Sequence, residues 1–147
     1  MEVRDHNDGM PLLRAVGRGD PCETFVRLLL EKGANIEARD INRKSPLCIG
    51  VALGAHAIDT ITLLLENGAD IEARDNDGRT PLLLAIIAHW GYAWEQGLSN
   101  TAVVKLLLEQ GADIEVQDCD GTSAAEWDKE VGMTNRSRLF TMEPIQR

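Results

Sequence analysis

The chain has 147 residues, 44% of them hydrophobic, which suffices for one globular core and implies no second one. Its 24 acidic and 15 basic residues leave a net charge of -9, a field that repels phosphate backbones and argues against nucleic acid as a partner. No charged-then-apolar leader opens the sequence and no apolar run approaches the ~20 residues that span a bilayer, so a soluble cytoplasmic protein is expected, the nucleus being the other compartment open to it.

In chain order, Met1 to Asp5 (MEVRD) is a fragment whose counterpart returns at Ile36 to Asp40 (IEARD). Met10-Pro11-Leu12 is the first of four similar openings; Ser45-Pro46-Leu47, Thr80-Pro81-Leu82 and a worn Ser123-Ala124-Ala125 follow. Ser or Thr before Pro predicts a helix start, because the hydroxyl caps a free N–H while Pro takes the first helical position, where its missing donor costs nothing. Each opening leads to a second apolar run that ends in Glu-x-Gly-Ala. Leu28 to Asp40 reads LLLEKGANIEARD, Leu63 to Asp75 LLLENGADIEARD, and Leu106 to Asp118 LLLEQGADIEVQD, offset by 35 and then 43 residues. The runs read as second helices, with Gly33, Gly68 and Gly111 as left-handed C-terminal caps. Each unit is therefore helix, loop, helix and an extended turn of acidic and small residues. It cannot bury its apolar side alone and must stack on its neighbours.

The T-P-L element, the L-L-L-E-x-G-A-D-I-E run and the D-x-D-G-x-T turn together resemble the ankyrin repeat, and the GADIEARD wording is similar to that of long fungal and microbial ankyrin arrays. The resemblance covers Glu2 to about Leu139. It implies an all-α solenoid of three full repeats plus a degenerate C-terminal cap, in a single domain over 1–147. Repeat one is 5–39, repeat two 40–74, repeat three 75–117 with an insertion at about 89–98, the capping repeat 118–140, and the tail 141–147. The His that commonly follows T-P-L in the family is absent, with Leu13, Cys48, Leu83 and Glu126 in its place. Repeats one and two are longer than the common unit at Gly19 to Cys22 and Gly54 to Ala57. The first repeat has no polar cap before it, so apolar positions such as Leu12, Val16 and Phe25 are expected to leave an open N-terminal face, either a place for self-association or an upstream domain or a tolerated exposed edge. Trp127 falls at a core position of the capping unit.

The segment from Ala88 to Asn100 (AHWGYAWEQGLSN) interrupts the period and gathers Trp90, Tyr92 and Trp94. The first helix of repeat three is expected to end near Ala88. Continued further, it would line up Leu83, Ile87, Trp90 and Trp94, with Ser99 or Asn100 capping the next helix. The aromatics pack on neighbouring loops, form a recognition ledge, since Trp and Tyr carry much of the binding energy at interfaces, or belong to a mere disordered bulge.

The resemblance also implies a partner in a concave groove of turn tips and first helices. It points to His6, Asn7, Ile41, Asn42, Lys44, Asn76, Asp77, Arg79, Cys119 and Asp120, with Ala52, Leu53, Ile87 and Ala88 beside them. The expected function is a non-catalytic protein–protein interaction module whose partner carries a basic contact segment, complementing the acidic field. The competing class is a small-molecule binder or atypical enzyme, with a pocket formed by inter-helix loops and candidate catalytic residues His56, His89, Tyr92 and Glu95. No cofactor and no metal are expected. Asp75 to Gly78 and Asp118 to Gly121 lack the alternating acids and distal Glu of a calcium loop, and the three cysteines Cys22, Cys48 and Cys119 form no C-x-x-C pair.

Overall fold

A computed structural model describes residues 11–18, 23–90 and 100–126, with Ala55, His89 and Trp90 defined in their backbone only. Six α-helices are found among these residues: α1 (Pro11–Gly17), α2 (Glu23–Glu31), α3 (Pro46–Ala52), α4 (Ile58–Glu66), α5 (Pro81–Trp90) and α6 (Thr101–Glu109). A 3-10 turn, Gly54–Ala57, leads from α3 into α4, and 124–126 begin a further helix. The described residues include no strand, and Gln117 and Ser123 make an isolated antiparallel bridge.

The openings fold as their chemistry requires. Ser45 is extended at φ -77° and ψ 166°, Pro46 follows at the first helical position, and the Ser45 hydroxyl accepts the Cys48 N–H at 3.3 Å. Thr80 treats Leu83 the same way at 3.4 Å. The worn fourth opening is better capped than it reads. Glu126 N–H donates to Ser123 Oγ at 3.3 Å while Ser123 N–H donates to Glu126 Oε2 at 3.0 Å, a reciprocal capping box that replaces the missing Pro.

The second helices end identically. Gly33, Gly68 and Gly111 have φ of 85°, 88° and 90°. Each donates its N–H to the carbonyl three residues back, and the following Ala donates five back, as in Ala34 to Leu29 at 2.9 Å. These paired bonds satisfy carbonyls that the helix end would otherwise leave open.

The helices make two layers. In one, α3 lies between α1 and α5; in the other, α2 lies beside α4; each first helix packs against its own second helix. The core runs continuously through Leu12, Val16, Leu47, Val51, Ile61, Leu64, Leu82, Ile86, Val103, Val104 and Leu107. Leu12 and Val16 belong to it, which corrects the expectation that they would open the N-terminal face. Val51 and Leu83 are as deeply buried. Helix α5 runs on to Trp90, two residues past the expected end; the insertion residues 91–99, with Tyr92, Trp94 and Glu95, lie outside the described residues, as do Trp127 and the tail.

Asn100 does stand before α6, but its side chain does not cap that helix. Instead its Nδ2 donates to the Ala85 carbonyl at 2.9 Å, in a buried position. Its Oδ1 lies 3.2 Å from where a Cβ on Gly54 would sit. Gly54 is held at φ 75°. Asn100 therefore ties the start of α6 to α5 and packs closely beside the preceding repeat's inter-helix turn.

Arg43, Gly78 and Gly121 occupy the same left-handed place in three successive turns, at φ 59°, 72° and 80°. A Cβ on Gly78 would also meet Cys119 N and Sγ at 2.9 Å, whereas one on Gly121 would meet nothing within 4 Å. Gly78→Ala should cost more than the ~1–2 kcal/mol of left-handed strain that Gly121→Ala costs, and Arg43→Gly should stabilise by about 0.5–1 kcal/mol. Urea denaturation of the three variants checks the order.

Candidate interaction surface

The acidic segments between successive units are a device for joining repeats. Asn35, Asp70 and Asp113 each turn their Oδ1 onto the N–H two residues on, at 2.9 to 3.0 Å, which sets the loop. Glu37 then accepts the Asp70 N–H at 2.7 Å, and Glu72 accepts the Asp113 N–H at 2.8 Å. Arg39 donates to the Arg74 carbonyl and Arg74 to the Gln117 carbonyl, both at 3.2 Å. Glu and Arg of the IEARD motif are thus rungs from one repeat to the next.

Beyond the rungs the chain forms three turn tips. Asp40 Oδ1 accepts the N–H groups of Asn42 and Lys44, both at 2.8 Å. Asp75 does the same for Asp77 and Arg79 at 2.9 and 3.0 Å, and Asp118 for Asp120 and Thr122 at 2.9 and 3.0 Å. Adjacent tips are joined through their backbones. Asn76 N–H donates to the Asn42 carbonyl at 3.0 Å and Cys119 N–H to the Asp77 carbonyl at 2.9 Å. The tips form one backbone-bonded ribbon along an edge of the stack.

Ile41, at 84% exposure, stands on the first tip as the most exposed large hydrophobic side chain among the described residues. Asn42, Asn76, Asp77, Cys119 and Asp120 are also exposed. Lys44 and Arg79 are half-buried, and Arg79 Nη1 lies 3.4 Å from Asp77 Oδ2, so that its charge is already matched at the tip. Ala52 is exposed, while Leu53, Ile87 and Ala88 are half-buried.

Of the pocket residues offered by the alternative reading, only the side chain of His56 falls among the described residues. His56 is exposed on the 3-10 turn, at the end of α3 away from the tips. Tyr92, Glu95, Trp94 and the side chains of His89 and Trp90 lie outside the described residues, as do His6 and Asn7. Among the described residues no group of three or more His, Cys, Asp or Glu could hold a metal ion, and no helix is long and apolar enough to cross a membrane.

Cys48 follows the second opening and is fully buried, its Sγ 3.7 Å from the carbonyl of Ala73 near the end of the same repeat. Burial pushes its thiol above the ordinary value, with the hydrogen bonds to Ser45 acting in the opposite sense. The weak S–H donor thus reaches a carbonyl at the far end of its own unit from the place where a His is missing.

Stacked helix–loop–helix units joined by side-chain rungs and edged by a ribbon of tips define a repeat solenoid. Residues 12–118 match the family described as ankyrin repeats (3 copies), and the chain belongs to the ankyrin repeat family. Ankyrin repeats are in general protein–protein interaction modules. No curated protein matches the chain.

Three outcomes are expected. In a Cys22→Ser background, a thiol reagent should label Cys119 at once and Cys48 only on unfolding, because Cys119 is exposed and Cys48 buried. As the folded thiol of Cys48 holds its proton to higher pH than the unfolded one, its contribution to stability is complete below the unfolded pKa of about 8.5 and declines above it. Unfolding midpoints of wild type and Cys48→Ala across pH 7 to 10 read that decline. Separately, Glu72→Ala should cost ~1–2 kcal/mol by removing the acceptor for Asp113, and Glu72→Gln less than half as much, as judged by denaturant titration.

Proposed function

We propose that the protein is a non-catalytic protein–protein interaction module in one domain over 1–147, whose partner docks along the ribbon of turn tips. The observation that carries this reading is the exposed row of Ile41, Asn42, Asn76, Asp77 and Asp120 on a backbone already fixed by inter-repeat hydrogen bonds. A surface held in this way loses little ordering entropy on docking, and an apolar anchor among neutral and acidic groups suits a partner with one apolar side chain flanked by basic ones. Lys44 and Arg79 act at the edge of the contact and orient the acids beside them. The first helices wall the groove beneath the tips through Ala52, Leu53, Ile87 and Ala88.

The aromatic insertion supplies the second contact in this reading. Trp90, Tyr92 and Trp94 belong to the loop end of repeat three and extend the recognition surface beyond the groove. A cytoplasmic setting fits a chain whose exposed Cys119 needs a reducing environment.

Capture of bound proteins should be compared for wild type, Ile41→Asp with Asp77→Lys and Asp120→Lys, and Trp90→Ala with Tyr92→Ala and Trp94→Ala. Melting temperatures and titrations against the captured partner accompany each. The tip variant should weaken binding at least tenfold, about 1.4 kcal/mol, with little change in melting, and wild-type affinity should fall as salt rises. Unchanged affinity in the tip variant would sink the groove, and unchanged affinity in both variants would sink the whole reading.

A further inference from the structure

Helices α2, α4 and α6 end on the same glycine cap, but the residue before the glycine differs: Lys32, Asn67 and Gln110. The middle repeat therefore carries an Asn-Gly pair, and the chain has no other. In that pair the backbone nitrogen of Gly68 and the side-chain amide carbon of Asn67 can close a five-membered ring. Lys32 has no carbonyl to attack, and Gln110 would have to close a six-membered ring, which forms more slowly. Glycine leaves the nitrogen unshielded: a Cβ on Gly68 would meet nothing within 4 Å, and both residues are exposed to water.

The folded cap holds both reacting groups. Asn67 Nδ2 donates to the Leu63 carbonyl at 2.8 Å, and the Gly68 N–H, whose proton must be given up, donates to the Leu65 carbonyl at 3.1 Å. Ala69 N–H donates to the Leu64 carbonyl at 3.0 Å, and the next amide, Asp70 N–H, is held by Glu37 of the preceding repeat at 2.7 Å. The rung thus fixes the chain two residues beyond the reacting bond. We propose that Asn67-Gly68 is a self-modification site, deamidating through a cyclic imide whenever the end of α4 opens, and that the Glu37–Asp70 rung sets how often it opens. The Gly68 nitrogen, having lost its proton to solvent base, bonds to Asn67 Cγ; the Cγ–Nδ2 bond breaks and ammonia leaves. Water then opens the imide at either carbonyl, giving aspartate or isoaspartate, and no other reagent is needed. Either product puts a new negative charge at the carbonyl end of α4, beside Glu66, where the helix dipole disfavours it. Isoaspartate also routes the backbone through the side chain, one carbon longer, so Gly68, Ala69 and Asp70 cannot all keep their present acceptors. The modification is a one-way release of the α4 cap and of the rung that joins repeats one and two.

The test is peptide mapping of the full chain during incubation in mildly alkaline buffer, folded and in urea, for wild type, Glu37→Ala and Gly78→Ala. Conversion at Asn67 is followed by mass and by enzymatic methylation of isoaspartate. In urea Asn67 should convert well ahead of Asn42 and Asn76, which precede Arg43 and Asp77. Folding should slow the conversion at least ~10-fold, and Glu37→Ala should speed it ~3-fold or more in the folded chain, whereas Gly78→Ala, which destabilises a tip instead, should not. The converted chain, separated by its added charge, should melt about 4 °C or more below the native one. Equal rates in the folded and unfolded chains, or no greater acceleration by Glu37→Ala than by Gly78→Ala, would overturn the proposal. So would a converted chain that melts like the native one, or an Asn67 that in urea converts no faster than Asn42 and Asn76.

Discussion

A loop that carries backbone amides away from a helix has to give those amides partners, and here the partners come from the neighbouring repeat. Glu37 takes the Asp70 amide and Glu72 the Asp113 amide, and the Arg39 and Arg74 guanidinium groups donate to the Arg74 and Gln117 carbonyls on the same edge. Hydrophobic burial holds the layers together but is indifferent to small slides of one helix along another. A carboxylate that must reach one particular N–H is not. The rungs therefore set the register in which the apolar stripes meet, and the turn tips inherit their alignment from the rungs.

The same constraint shapes the surface. Asp40, Asp75 and Asp118 spend one oxygen on the backbone of their own turns, and adjacent tips bond to each other, so that much of the backbone at the tips is already bonded. What projects outward is left to the residues between, which vary among Ile41 and Asn42, Asn76 and Asp77, and Cys119 and Asp120. A uniform scaffold with a variable outer row separates stability from recognition: changing the row leaves the hydrogen bonds beneath it in place. Cys48 shows the scaffold's own latitude, since a buried thiol near the Ala73 carbonyl stands where the family commonly has an imidazole.

Much of this was legible in the sequence because repetition averages out local ambiguity. Three copies of Leu-Leu-Leu-Glu-x-Gly-Ala gave the second helices and their glycine caps, and Ser or Thr before Pro gave the helix starts. The pairing of Glu and Arg across repeats was not legible, although its signal was there: both residues recur in IEARD, and Arg gives way to Gln117 in the last copy. Charged residues in a turn read as solvated until geometry shows which amide they face. Asn100 misled for a related reason. An Asn before a helix is a good cap, yet here a buried carbonyl at Ala85 and the bare backbone of Gly54 made a better site for its side chain. The exposed flank of α2 was half legible; Phe25 was picked out correctly, whereas Leu12 and Val16 joined the core because a first helix is covered by its own second helix and by the next repeat.

The rungs also account for where the period breaks. Every inter-repeat hydrogen bond of the IEARD segment and of the tips lies on the turn side of the helices, and none depends on the length of the loop that joins the two helices of one unit. Glu37 reaches Asp70 across 33 residues at 2.7 Å, and Glu72 reaches Asp113 across 41 at 2.8 Å. Eight further residues thus entered the third unit while the rung kept its length. An insertion on the turn side would separate carboxylate from amide and tip from tip, at a cost repeated at each bond; an insertion between helices costs only the slowly growing entropy of a longer loop. New sequence can accumulate between the helices of a unit without disturbing the register, and the inserted segment of this chain carries three of its six aromatic residues.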